Sequence, residues 1–166
     1  MEASWMRYVM KQKLFSWGDD YTIKNENGED AFFVDGKAFS LGSHLSFQDL
    51  QGNQLVYIKQ KLLSWGPTYE IYKGDRHHAT IQKELFTFFR CSFVVHVEEQ
   101  DDLDAEGDLT DHEYVITRNG GQVAAISKQW FEWADTYGVD IAEGEDAVLI
   151  LASTVAIDLA CHGDAK

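Results

Sequence analysis

The chain has 166 residues, 45% of them hydrophobic and 13% aromatic, with one proline and 13 glycines. That is long enough to bury a sizeable core in a single domain and too apolar for a disordered chain. Its 28 acidic residues against 14 basic give a net charge of −14, which excludes broad electrostatic attachment to nucleic acid or anionic membranes and leaves room only for a local basic patch.

The N-terminal stretch Met1 to Arg7 lacks the basic head and apolar middle of a signal peptide. Cys91 and Cys161 are the only cysteines, and neither belongs to a Cys-x-x-Cys or His/Cys metal spacing. A cytoplasmic, reducing location is the expectation.

Going along the chain, Lys11-Gln12-Lys13-Leu14-Phe15-Ser16-Trp17-Gly18 returns as Lys59-Gln60-Lys61-Leu62-Leu63-Ser64-Trp65-Gly66. A weaker copy, Lys37-Ala38-Phe39-Ser40-Leu41-Gly42, lies halfway between, so the period is about 24 residues. Further copies begin at Lys83 and Lys128, with a degraded one between them. The anchor positions run Tyr21, Leu45, Tyr69, Phe93, Tyr114 and Tyr137.

Each unit reads as two strands, because β-branched and aromatic runs such as Leu55 to Ile58 and Phe93 to Val95 are separated by short turn clusters. Asn27-Gly28, Gln51-Gly52-Asn53, Lys73-Gly74-Asp75 and Asn119-Gly120-Gly121 are hairpin signals between units. Six such units predict about twelve strands.

The last segment, residues 145–162, predicts a helix with two acids at its N-terminus, His162 in the last turn and Gly163 at the C-cap position. Between Ala147 and Ala160 only Ser153, Thr154 and Asp158 are polar, and they form no wetted stripe. A helix apolar on every side is buried on every side. It is too short and too interrupted by Asp158 for a comfortable membrane span, which needs roughly 20 apolar residues. Twelve antiparallel strands lose their edges by closing, and a wide barrel needs a filling. The fold class predicted is a mainly-β, twelve-stranded antiparallel closed barrel around a buried C-terminal helix, one domain over residues 1–166 with its core at about 7–162.

The repeated Lys-x-Lys-Leu-Phe-Ser-Trp-Gly-x-x-Tyr pattern and the apolar last helix resemble the LURP-one-related family, whose fold is similar to the tubby C-terminal domain and the phospholipid scramblases. The likeness covers Arg7 to His162. It implies the same barrel threaded by one hydrophobic helix. On function it implies less: tubby domains bind phosphoinositide headgroups, and scramblases carry a related core on a membrane segment.

Seven of the ten lysines, Lys11, Lys13, Lys37, Lys59, Lys61, Lys83 and Lys128, precede the apolar pair of a repeat unit. Repetition would set them at one height on the barrel, where flexible ammonium groups suit a phosphate; inherited lysines on solvated strands are the plainer explanation. Lys11, Lys13, Lys59 and Lys61 are the candidate ligand-binding residues, joined by Asp158, an acid on a buried helix that Thr154 or a strand group must satisfy.

Residues 102–113 carry a calcium-loop-like spacing, with Asp102, Asp104, Glu106 and Glu113 at ligand positions and Gly107 at the turn. Strand-like flanks, where an EF-hand needs helices, favour an acidic solvated loop, so no metal is favoured. Trp17, Trp65, Phe88 and Trp133 share one repeat position and read as core. His77 and His78 fall on opposite strand faces, and no nucleophile elbow, phosphate loop or zinc-protease motif occurs.

The reading is therefore non-enzymatic, without cofactor or nucleic acid. It is a binding protein for a phospholipid or other phosphorylated ligand, or a membrane-peripheral adaptor. The alternative is a protein-interaction module with no small-molecule ligand.

Overall fold

The computed structural model describes residues 2–11, 20–36, 44–61, 66–84, 92–130 and 136–162. Twelve strands follow one another: β1 (Trp5–Lys11), β2 (Tyr21–Asn25), β3 (Asp30–Asp35), β4 (Leu45–Gln48), β5 (Gln54–Gln60), β6 (Thr68–Lys73), β7 (Arg76–Lys83), β8 (Ser92–Val97), β9 (Leu103–Asp108), β10 (Glu113–Arg118), β11 (Gly121–Ser127) and β12 (Thr136–Ala142). Each pairs antiparallel with its neighbours in sequence, and β1 closes the barrel on β12, from Trp5 opposite Ala142 to Lys11 opposite Thr136. Closure leaves no open sheet edge, as the strand count and the need to hide edges predict.

Period-two alternation decides which face of each strand turns inward. In β5, Val56 and Ile58 are buried, Leu55 and Tyr57 are half-buried on the other face, and Lys59 is exposed. The repeat anchors occupy the start of every even-numbered strand, and Leu45, Tyr69, Phe93, Tyr114 and Tyr137 are all buried. Register shifts recur two residues after the anchor, between Ile23/Lys24, Phe47/Gln48, Ile71/Tyr72 and Ile116/Thr117. A bulge adds local bend and twist, so a bulge in most units curves the sheet toward closure.

The hairpins between units repeat their chemistry too. Asn25 Oδ1 accepts from the amides of Asn27 and Glu29, and Asp49 Oδ1 accepts from those of Gln51 and Asn53. The Asp49 carboxyl is held below the usual carboxylate range chiefly by the Asn53 side chain.

Helix α1 (Ala147–His162) fills the barrel. It begins two residues later than the sequence suggests, because Asp146 is the N-cap: its Oδ1 accepts from the Leu149 amide at 3.1 Å. Glu145 turns instead to Arg118, whose Nη1 donates to Oε2 at 2.5 Å. Every residue from Leu149 to Leu159 is buried, so no face is wet. Ser153 and Thr154 satisfy their hydroxyls within the helix by donating to the carbonyls of Leu149 and Ile150 at 2.7 and 2.9 Å. Fully burying each Leu, Ile or Val contributes roughly 1.5–3 kcal/mol, which makes the helix the main apolar element of the interior. The expected C-cap at Gly163 and the repeat aromatics Trp17, Trp65, Phe88 and Trp133 lie outside the described residues.

Candidate functional site at the lysine-bearing end

Odd strands all run the same way in this barrel, so it has two chemically different ends. At one, the chain passes between units and into the helix; at the other lie the ends of the odd strands and the last turns of α1. The connections at the first end are acidic, with Lys24, Lys73, Arg76 and Arg118 on the strands beside them. Those connections carry Glu26, Glu29, Asp49, Asp75, Glu98, Glu99, Asp101, Asp102, Glu143, Glu145 and Asp146, and no lysine or arginine.

The second end carries the repeat lysines. Lys11 and Lys83 close β1 and β7, Lys59 lies one residue before the end of β5 and Lys61 just past it, and Lys128 follows β11. Lys59 and Lys61 are exposed. Lys13 and Lys37 fall outside the described residues, as does the side chain of Lys11. Repetition thus brings Lys11, Lys59, Lys61, Lys83 and Lys128 to one barrel end, spread around its rim on or beside different strands.

Beneath this rim, Asp158 is 5% exposed and Tyr137 of β12 donates its hydroxyl to Asp158 Oδ2 at 3.0 Å. The other oxygen, Oδ1, lies 2.5 Å from His112 Nε2. His112 is 1% exposed, holds a left-handed backbone with φ 54°, and stacks on the Tyr137 ring at 4.3 Å. A polar strand group does satisfy the buried acid, as its cost on an apolar helix demands. Thr154, one turn back, shares a hydrogen bond with Tyr114. Burial, and then the nearby Asp158 charge, push the Tyr114 hydroxyl well above its ordinary pKa. Burial likewise raises Tyr69, to about 12, with Cys161 adding to the effect.

Sequence reasoning missed His112. It lies 46 positions from Asp158, in the most degraded repeat, and no local spacing joins them. Its neighbourhood offered only one signal, a turn that had to end where Tyr114 begins a strand.

The calcium-like segment is not a loop along most of its length. Leu103 to Asp108 form β9, paired with β8 and β10. Leu103 and Ala105 point inward and are buried, so Asp104 and Glu106 alternate outward. Asp102 is engaged by His96 Nδ1 at 2.8 Å, and Glu113 accepts from Ser127 Oγ at 2.7 Å and the Lys128 amide at 2.9 Å. A ladder separates these acids where a calcium loop would converge them. Among the described residues no group of three or more His, Cys, Asp or Glu is placed to hold a metal ion.

The two adjacent histidines do part company. His77 meets the Tyr72 ring edge-on at 5.4 Å, within an outer row in which Tyr57 stacks on Tyr72 at 5.0 Å and the His44 ring lies tilted against Tyr57 at 4.7 Å. His78 Nε2 lies 3.9 Å from Asp146 at the helix start.

The profile of the LURP-one-related family matches residues 6–158. The chain belongs to the LURP-one-related family. It is similar to YxjI of Bacillus subtilis, an uncharacterized protein, at 34% identity over 155 residues, covering 93% of each chain. Its fold is that of an Arabidopsis thaliana protein of known X-ray structure, AT5G01750, with a TM-score of 0.69 over 93% of this chain and 90% of the other, at 14% identity. The LURP-one-related barrel seen here is thus shared across wide sequence divergence. No helix among the described residues is long and apolar enough to cross a membrane.

Proposed function

We propose that this LURP-one-related chain is a non-catalytic binding protein that receives a phospholipid headgroup or other phosphorylated ligand at the lysine-bearing end of the barrel. The observation that carries this reading is the division of charge between the two ends. The helix-entry end has carboxylates in five of its six connections, with Lys24, Lys73, Arg76 and Arg118 only on the adjoining strands, while Lys59, Lys61, Lys83 and Lys128 gather at the opposite end beside Glu84 and Asp111. The lysine-bearing end is the better placed of the two to receive a phosphate, although the net charge of −14 opposes adsorption as a whole. The lysine stems are long enough to adapt to more than one headgroup, as point charges for phosphate do.

Flotation with neutral phosphatidylcholine vesicles, and with the same vesicles containing a phosphoinositide, tests the reading. The expected result is salt-sensitive binding to the second alone, abolished when Lys11, Lys13, Lys59 and Lys61 are replaced by alanine. Equal behaviour of the wild type and this variant overturns it.

A second reading, a protein-interaction module, draws on the half-buried row His44, Tyr57, Tyr72 and His77 outside β5 to β7, since tyrosine is enriched in protein interfaces. Tyr57→Ala with Tyr72→Ala separates the two, because it leaves vesicle binding intact under the first.

A further inference from the structure

The node beneath the rim is connected to the surface. Lys128 Nζ forms an ion pair with Asp111, the residue immediately before His112. The Lys128 side chain is 27% exposed and that of Asp111 61%, whereas His112 and Asp158 are 1% and 6% exposed. The short turn 109–112 therefore has one foot in solvent and the other inside the barrel.

The turn closes the β9–β10 hairpin, with Glu113 opposite Asp108, and carries His112 stacked on the Tyr137 ring. Leu109 is buried at 1% exposure, the Asp111 amide donates to Asp108 Oδ1 at 2.9 Å, and His112 takes a backbone conformation that non-glycine residues adopt at a cost. To these the Lys128 pair adds an anchor on the solvent side of the turn that aims His112 at Asp158. Electrostatics link the same residues, since the Asp111 carboxyl is held low by Lys128 first and by His112 to a lesser degree.

Beyond the node, Asp158 is the sole charged residue in the described part of α1. The N-terminal half of the helix is held by other means, through the Asp146 cap and the apolar packing of Leu149 to Ala152. Its C-terminal half packs through Val155, Ala156, Ile157 and Leu159, shares the Thr154–Tyr114 hydrogen bond, and is also tied to the wall through His112 and Tyr137.

We propose that Lys128, Asp111, His112 and Asp158 form a strap that transmits the state of the barrel surface to the buried helix: freeing Asp111 from Lys128 loosens the C-terminal half of α1. On the reading given above, a phosphate that draws Lys128 away from Asp111 is the natural agent. Binding at the rim would then be reported in the core, which gives the barrel a means of coupling a headgroup to the seating of its plug.

Hydrogen exchange of the intact, ligand-free chain tests the strap directly. In Lys128→Ala, the amides of Val155 to Cys161 are expected to exchange at least about tenfold faster while those of Leu149 to Ala152 keep their protection. Asp158→Asn is expected to loosen the same segment, and adding Lys128→Ala to it to change nothing further. Lys24→Ala, which removes an exposed ion pair to Asp30 elsewhere on the barrel, is expected to leave the helix unchanged.

Unchanged protection in Lys128→Ala overturns the strap. So does a uniform increase along the whole helix, or additive effects of Lys128→Ala and Asp158→Asn. Lys128→Gln, which keeps most of the stem but not the charge, is expected to reproduce the alanine result and overturns the strap if it does not. These outcomes need no ligand, so vesicle binding can fail while the strap stands, and the strap can fail while vesicles bind.

Discussion

His112 and Asp158 meet inside the barrel across 46 positions of sequence, with Nε2 2.5 Å from Oδ1 and both residues buried. Removing one member of such a buried pair leaves the other desolvated without its partner. Asp158→Ala is therefore expected to destabilise the fold by about 3–5 kcal/mol, read as a lower urea midpoint at unchanged slope. Tyr137→Phe removes one hydrogen bond and retains the ring, and is expected to cost about 1–2 kcal/mol.

Alkaline pH should unfold the barrel through its buried tyrosines. The folded pKa of Tyr69 is raised to about 12, so the folded state keeps its proton after the unfolded chain, titrating at about 10, has lost it. Stability from this group is complete below pH of about 10 and is lost as pH rises toward about 12, by about 2–3 kcal/mol. Tyr114 is raised well above its ordinary value and extends the loss to higher pH. Urea midpoints measured across this range should fall steeply in the wild type and less steeply in Tyr69→Phe.

Two glycines with positive φ should respond differently to alanine. At Gly107, φ is 138° and an added Cβ would lie 2.7 Å from the Glu113 carbonyl oxygen and 2.8 Å from Tyr114 Cα. Both obstacles are backbone or begin a paired strand, so Gly107→Ala is expected to cost more than about 2 kcal/mol. At Gly74, φ is 62° and nothing lies within 4 Å, so the cost is only that of the left-handed conformation, about 1–2 kcal/mol. Thermal melts of the two variants side by side check the ranking.

Truncation inside the plug tests how tightly it is packed. Leu151 is fully buried, and Leu151→Ala is expected to cost about 2–5 kcal/mol, with the larger value if the wall cannot close on the space left. A denaturation curve gives the loss directly.

The architecture was legible because its information is local and repeated. Anchor residues such as Tyr69 and Phe93, hairpin signals such as Asn119-Gly120, and a helix with no polar face each announce themselves within a few residues. What periodicity does not encode is which side chains meet across the interior. Asp158 stood out because a carboxylate is costly on an apolar helix, but nothing near it named His112. The repeat lysines were visible as a series. The opposing acidic end was not, because its carboxylates belong to turns that differ in length and sequence and become one surface only when alternate strands point the same way. Residues 102–113, read as an acidic solvated loop with no metal favoured, are instead largely strand: alternation along a ladder sends Leu103 and Ala105 inward and disperses the acids.

The pairing of β1 with β12 also bears on how the protein is made. Trp5 has its partner in Ala142, so β1 must wait for β12, more than a hundred residues later, before its outer hydrogen bonds can form. The helix that fills the interior is made later still. During synthesis the growing sheet is an open ribbon with one apolar face uncovered and a free strand at each margin. Such a barrel gains its stability late and all at once, folds slowly for its size, and is most vulnerable to association with its neighbours just before β12 and α1 are made.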